Sequence, residues 1–69
     1  MKFKKKKPKF KKGDVIKNYK DSYLFIVKQL FFENWTGSYE WYVSFENLFD
    51  PSVEYQRDVE SNFTLVQRP

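Results

Sequence analysis

Residues 23–48, YLFIVKQLFFENWTGSYEWYVSFENL, hold most of the large apolar side chains of this 69-residue chain and decide its fold. In the second half, alternate residues from Tyr39 to Phe45 are apolar, and this period of two predicts a β-strand with one buried face. The first half is rich in β-branched and aromatic residues, which also favour a strand. Between the halves, residues 34–38 (NWTGS) are typical turn residues. The stretch therefore predicts one long β-hairpin.

The first arm of this hairpin does not alternate cleanly, because two sets of apolar residues compete for its buried face. A β-bulge at Lys28-Gln29 would change the phase of the strand, so that each set is buried in one half. Alternatively, both faces of the arm are covered. The first set is Leu24, Ile26, Leu30 and Phe32, and the second set is Phe25, Val27 and Phe31.

Short elements flank the hairpin on both sides. We expect strands at residues 13–17, 53–57 and 63–67, with one helical or 3₁₀ turn at residues 58–62 capped by Asp58 before the last strand. Each hairpin arm would be about 30–35 Å long, which is longer than any core this chain can build. The arms must therefore bend, and long bent strands flanked by short ones predict a small closed barrel. The expected core residues are Val15, Leu24, Ile26, Trp41, Val43, Phe45, Phe63 and Leu65.

These elements resemble the SH3-like small barrels, including their KOW and Tudor-type members. The resemblance rests on the opening Lys12-Gly13-Asp14-Val15-Ile16, on the long second and third strands, and on Asp58-Val59-Glu60-Ser61-Asn62-Phe63 leading into the last strand. It covers residues 12–67 and implies an all-β, five-stranded SH3-like barrel. The peptide-binding motifs of SH3 domains, such as an ALYDY-like stretch, are absent. In composition the chain also resembles small lysine- and aromatic-rich proteins encoded by bacteriophages.

Charge divides the chain into two parts. Residues 1–12 contain eight lysines and no acidic residue, whereas residues 13–69 contain 5 basic and 9 acidic residues, a net charge of −4. Repulsion between the lysines, together with Pro8, predicts a disordered basic arm over residues 1–12. Residues 13–69 would form the barrel.

The basic arm is the first candidate functional feature. Lysines neutralise nucleic-acid phosphates and release counterions, and interleaved aromatic rings can stack on bases. This pattern predicts weak, non-specific association with nucleic acid or with an acidic protein surface. One alternative is that the arm is only a solubilising tail or part of an N-terminal strand. Another is that the arm lies on the acidic body until a competing polyanion releases it. The residues assigned to binding are Lys2, Phe3, Lys4, Lys5, Lys6, Lys7, Lys9, Phe10, Lys11 and Lys12.

Three aromatic residues outside the expected core form a second candidate site. Trp35 lies in the hairpin turn, Tyr42 shares the polar face of its strand, and Tyr55 is expected to face outward. Exposed Trp and Tyr residues often anchor protein interfaces. The alternative for Trp35 is a lid folded over one end of the barrel. These residues predict a protein-binding adaptor or inhibitor, acting on a host protein if the chain is phage-encoded.

The composition argues against catalysis. The chain has no His and no Cys, so the commonest general base, nucleophilic thiol and metal ligands are missing. The dispersed acidic residues predict a solvated outer face, and no cofactor or metal is expected. No segment resembles a secretory signal or a membrane span. We therefore expect a cytoplasmic, non-catalytic binding module without a membrane partner, located in the host cytoplasm if phage-encoded.

Overall fold

A computed structural model describes residues 8–69, and residues 1–7 lie outside the described part. The elements in chain order are β1 (Val15–Asn18), β2 (Leu24–Glu33), β3 (Glu40–Glu46), β4 (Pro51–Tyr55), α1 (Gln56–Asn62) and β5 (Phe63–Gln67). The strands of the described part form one antiparallel sheet in the order β4-β3-β2-β1-β5. The domain is therefore mostly β, with a single short helix among the described residues.

The long hairpin consists of β2 and β3, as the sequence predicts. The pairing runs from Ile26 opposite Glu46 to Glu33 opposite Glu40. In the turn, Gly37 has a φ of +101°, a left-handed conformation that side chains disfavour, and its N–H donates to Asn34 Oδ1 at 3.0 Å. Ten residues of fully extended strand would span about 33 Å, and the longest dimension of the molecule is 40 Å.

A β-bulge in β2 resolves the competition between its two apolar sets. Val27 pairs with Phe45 and Gln29 pairs with Ser44, so Lys28 has no residue opposite it and the predicted bulge is confirmed. Because of this extra residue, Val27 faces the core before the bulge and Leu30 packs against the core after it.

The core lies between the inner face of the sheet and α1. Among the expected core residues, Val43, Phe45 and Phe63 are buried, which confirms those three positions. The expectation is wrong for Leu24, Ile26 and Leu65, which are exposed, while Val15 and Trp41 are only partly buried. The buried cluster consists of Phe10, Ile16, Val27, Val43, Phe45, Val59 and Phe63.

Strand register explains these errors in the core. Ile16 pairs with Phe25 on the inner face, so the neighbouring pair, Val15 and Ile26, must face outward. Ile26 is as apolar as Val27, and the sequence pattern contains no information about which of them faces the core.

The predicted single turn is an α-helix rather than a 3₁₀ turn, and at seven residues it is longer than predicted. It begins at Gln56, directly after β4, and its N-cap residue Tyr55 makes no side-chain capping bond. Asp58 lies in the first turn and is not the cap. Gln56 and Val59, three residues apart, lie on the buried face of the helix. Through Val59 the helix covers the core.

Residues 8–12 pack against the domain, so the expectation of a disordered arm does not hold for this part of residues 1–12. Phe10 is only 1% exposed and belongs to the core cluster. The Lys9 N–H donates to Glu60 of α1 at 2.6 Å. Burial of one large aromatic ring outweighs the repulsion among neighbouring lysines, since their own ammonium groups stay exposed.

The two ends of the described chain are joined by a buried carboxylate. Asp14 is fully buried and accepts hydrogen bonds from Arg68 Nε at 3.1 Å, from Arg68 Nη2 at 2.9 Å and from the Lys11 N–H at 2.8 Å. The hydrogen bonds from Arg68 are the main cause that lowers the pKa of Asp14 below its ordinary value of 3.8. This contact fixes residues 9–14 against the C-terminal end of the chain.

Candidate interaction surfaces

The predicted nucleic-acid residues divide into three groups in the structure. Lys9, Lys11 and Lys12 are exposed at the start of the described chain, where their ammonium groups can reach a partner. Phe10 is buried in the core, which corrects its predicted role of stacking on bases. The remaining residues, Lys2, Phe3, Lys4, Lys5, Lys6 and Lys7, lie outside the described residues.

The three predicted interface aromatics are brought together at the turn end of the hairpin. Trp35 and Tyr42 have ring centroids 4.2 Å apart, and Tyr42 stacks on Tyr55 at 5.3 Å. Phe31 adds a fourth ring, 5.8 Å from Tyr42 and 5.2 Å from Trp35. We call Phe31, Trp35, Tyr42 and Tyr55 the distal aromatic cluster. Register explains it, since Tyr42 lies between Phe31 and Tyr55 on adjacent strands.

The distal aromatic cluster is more closed than the sequence predicts. Tyr42 is only 4% exposed, so the expectation that it faces solvent is wrong. Trp35 packs against Tyr42 yet remains 57% exposed, so it is a surface residue as well as part of the cluster. Tyr55 is partly buried beneath the Arg57 guanidinium, 4.3 Å from its ring, and Arg57 also pairs with Glu40. Most of the cluster surface is therefore already covered by its own residues.

Burial leaves the Tyr42 hydroxyl in an unusual position. Desolvation raises the pKa of this phenol, and the neighbouring Tyr55 adds to the effect. The hydroxyl makes no hydrogen bond of normal geometry to any described residue. On the opposite face of β3, Trp41 Nε1 is also buried without such a partner, close to the ring of Phe32.

A second surface, which the sequence analysis did not find, is an open apolar groove at the other end of the hairpin. Its floor is formed by Val15, Leu24 and Ile26, which face outward from β1 and β2. One wall is the loop between β3 and β4, with Leu48 and Phe49. The volume of this open groove is about 1010 Å³. We call these five residues the apolar groove.

The loop of the apolar groove exposes two large apolar side chains. Leu48 is 96% exposed and Phe49 is 83% exposed. They are held in this position, because Asn47 Oδ1 accepts hydrogen bonds from the N–H groups of Phe49 at 2.9 Å and Asp50 at 2.8 Å. A Leu-Phe pair between Asn and Asp, just beyond the last alternating residue of a strand, is the sequence signal that could have indicated this surface.

Charged residues occupy the rim of the apolar groove. Lys28, the bulge residue, and the acidic residues Glu46 and Asp50 line it and are exposed. Within residues 8–69, the two ion pairs are Arg57–Glu40 and Arg68–Asp14, so none of the three rim charges is paired. The groove therefore offers an apolar floor with free charges of both signs at its edge.

Other kinds of site are not found in the described part of the chain. Residues 8–69 contain no group of three or more potential metal-ligating side chains. No helix within that range is long and apolar enough to cross a membrane. No protein-family model, curated protein or solved structure matches this chain.

Proposed function

We propose that this chain is a small, non-catalytic protein-binding module that docks an apolar segment of another polypeptide in the apolar groove. The observation that carries the proposal is the near-complete exposure of Leu48 and Phe49 on a loop held by Asn47. Exposed apolar residues that are contiguous with an apolar surface mark interaction sites in small proteins. The distal aromatic cluster is a less suitable site, because Tyr42 is already covered.

The architecture supports a recognition module of the SH3-like type. The four strands β1 to β4 pair in sequence order, β5 pairs with β1, and β2 carries a bulge at Lys28. A bulge bends a long strand, so that its two halves can serve different parts of the sheet. We propose that this bend coils the sheet into an SH3-like barrel, with the apolar groove on its outer surface.

The protein-binding proposal can be tested with a library of random dodecapeptides. We expect the folded protein to select peptides that contain two or more large apolar residues. Replacing both Leu48 and Phe49 with Ser should weaken binding of the selected peptides by at least about tenfold, since interface anchors contribute on the order of 2 kcal/mol or more. Affinity is measured by isothermal titration calorimetry.

A matched control comes from Tyr19, which is also highly exposed but does not line the groove. Tyr19→Ser should leave peptide affinity unchanged, and circular dichroism should show that both variants are folded. Selected peptides that bind the Leu48→Ser/Phe49→Ser variant as tightly as the wild type would refute the apolar groove as the docking site.

A second candidate function, association with nucleic acid, is supported by the exposure of Lys9, Lys11 and Lys12. They continue the run Lys4–Lys7, which lies outside the described residues. If about five lysines contact duplex phosphates, the slope of log K against log salt should be roughly −4 to −5. Changing Lys4 to Lys7 to Gln should flatten this slope by up to about 3–4 for every sequence alike.

Fluorescence anisotropy with labelled oligonucleotides between about 50 and 200 mM salt measures this slope. Lys17→Gln with Lys20→Gln is the control, because these lysines belong to the acidic body and should change the slope little. Absence of binding at the lowest salt would eliminate the nucleic-acid function and leave protein binding alone.

A further inference from the structure

The apolar groove contains both a projecting part and a receiving part on one surface. Leu48 and Phe49 project from the loop after β3, and Val15, Leu24 and Ile26 form the apolar floor beside them. A twofold interface requires this kind of surface, because each copy must present the same patch and receive the same patch. The loop of one copy could then lie on the floor of the other.

The rim charges fit the same arrangement. Lys28 lies at the bulge of β2, on the floor side, whereas Glu46 and Asp50 lie at the two ends of the projecting loop. A twofold rotation that places the loop of one copy on the floor of the other brings the acidic loop ends towards Lys28 of that copy. The contact would repeat symmetrically, and it would pair charges that have no ion-pair partner within residues 8–69.

We propose that the apolar groove binds a second copy of this chain, forming a twofold homodimer in which each Leu48-Phe49 loop occupies the groove of the other copy. This inference rests on the proposed function, since it names the polypeptide that the groove binds. The dimer removes Leu48 and Phe49 from water, and those two residues are the most exposed of the large apolar side chains in residues 8–69.

Sedimentation equilibrium of the full chain over a range of concentrations tests the dimer. We expect a reversible monomer–dimer equilibrium whose dissociation constant rises at least about tenfold in the Leu48→Ser/Phe49→Ser variant. The Tyr19→Ser control should leave it unchanged. A synthetic peptide of residues 44–52, which carries the loop, should compete with dimer formation, whereas the same peptide with Ser at positions 48 and 49 should not.

Charge reversal tests the twofold pairing independently of the apolar contacts. Lys28→Glu alone places a second carboxylate against Glu46 of the other copy, and Glu46→Lys alone places two lysines together, so each variant should dimerise more weakly than the wild type. In an equimolar mixture, the heterodimer of the two variants has opposite charges at both contacts, because the two substituted residues face each other at one contact and the unchanged Lys28 and Glu46 face each other at the other, so the mixture should contain more dimer than either variant alone. In the double variant Lys28→Glu/Glu46→Lys, opposite charges are restored at both contacts. Sedimentation velocity should therefore show more dimer in the double variant than in either single variant.

The remaining outcomes separate this inference from the proposed function. A chain that stays monomeric while the groove still binds selected library peptides overturns the homodimer and leaves the protein-binding function standing. If the wild-type chain neither self-associates nor binds peptides in the groove, the homodimer and the protein-binding function are both overturned. A dimer that resists Leu48→Ser/Phe49→Ser but is lost with Val66→Lys would lie on the exposed edge strand β5 instead, and would also overturn the inference.

Discussion

Asp14 combines complete burial with a full set of hydrogen bonds. Its two oxygens accept three of them, two from Arg68 and one from the Lys11 N–H. A buried carboxylate is tolerated only when such partners compensate for its lost hydration. Arg68 is itself partly exposed, so the cost of burying the pair falls mainly on Asp14.

Replacing Asp14 with Asn should lower the free energy of unfolding by about 2–4 kcal/mol at pH 7, because an amide cannot satisfy all these donors. The folded-state pKa lies below the ordinary 3.8, so the carboxylate contributes fully above pH 3.8 and loses its contribution as the pH falls through the folded-state value. Urea denaturation should therefore show the difference between wild type and variant shrinking in acid. Asp58→Asn, at an exposed position, should change stability by less than about 0.5 kcal/mol.

The Tyr42 hydroxyl is the opposite case, a buried polar group without a hydrogen-bond partner of normal geometry among the described residues. Tyr42→Phe keeps the stacked ring and removes the desolvated oxygen, so stability should stay constant or rise by up to about 1 kcal/mol. Tyr39→Phe, which changes an exposed hydroxyl, is the control. A loss of more than about 1 kcal/mol in urea denaturation would mean that the hydroxyl is hydrogen-bonded in solution.

At the scale of the elements, β3 is the strand on which the fold depends most. It pairs with β2 on one side and with β4 on the other, and it contributes Val43 and Phe45 to the core. The same strand presents Tyr42 on its opposite face, under Trp35. Both faces of β3 are therefore covered at Tyr42 and Val43, so a charge at either position would be buried.

Val43→Asp should therefore unfold the domain. An unpaired buried charge costs several kcal/mol, and the total stability of a domain this small is on the order of 5 kcal/mol. Near-ultraviolet circular dichroism from the packed aromatic rings measures the effect. Val53→Asp, at a half-exposed position on β4, should retain the signal, and a retained signal in Val43→Asp would contradict the inward orientation of that residue.

For the whole molecule, the packing begins before the first strand. Phe10 inserts into the core, and the hydrogen bond from Lys9 to Glu60 and the Asp14–Arg68 pair hold the same segment in place. Lys9, Lys11 and Lys12 therefore belong to a segment that is packed against the domain.

Two truncations should distinguish the charged residues from the packed ones. Removing residues 1–7, five of which are lysines, should change the free energy of unfolding by less than about 0.5 kcal/mol, because lysine side chains are rarely part of a core. Removing residues 1–11 deletes Phe10 and should cost about 3–5 kcal/mol, the usual range for losing a buried Phe. Phe10→Ala in the full chain should reproduce most of that loss in urea denaturation. Equal stability of the two truncated chains would show that Phe10 does not belong to the core.

The sequence by itself determined the elements that depend on local pattern. The period of two in β3 and the Gly37 turn were predictable, because side-chain alternation and turn chemistry act over a few neighbouring residues. The bulge at Lys28 was one of two alternatives that the sequence pattern left open. The last strand, Phe63–Gln67, was predictable for the same reason. Trp35, Tyr42 and Tyr55 could be selected as a set, since they are aromatic residues outside the alternating pattern.

Only the tertiary structure decided which apolar residues face inward and which surface is free. Ile26 and Val27 are equivalent as sequence, and the pairing of Val27 with Phe45 is what turns one inward and the other into the groove. In the sequence, Phe10 belongs to a lysine-rich segment, and only the folded structure shows that it packs in the core. The apolar groove joins residues of β1, β2 and the β3–β4 loop. The exposed Leu48-Phe49 pair has a local sequence signal, but its contact with a floor made from β1 and β2 has none, because those residues are far apart in the chain.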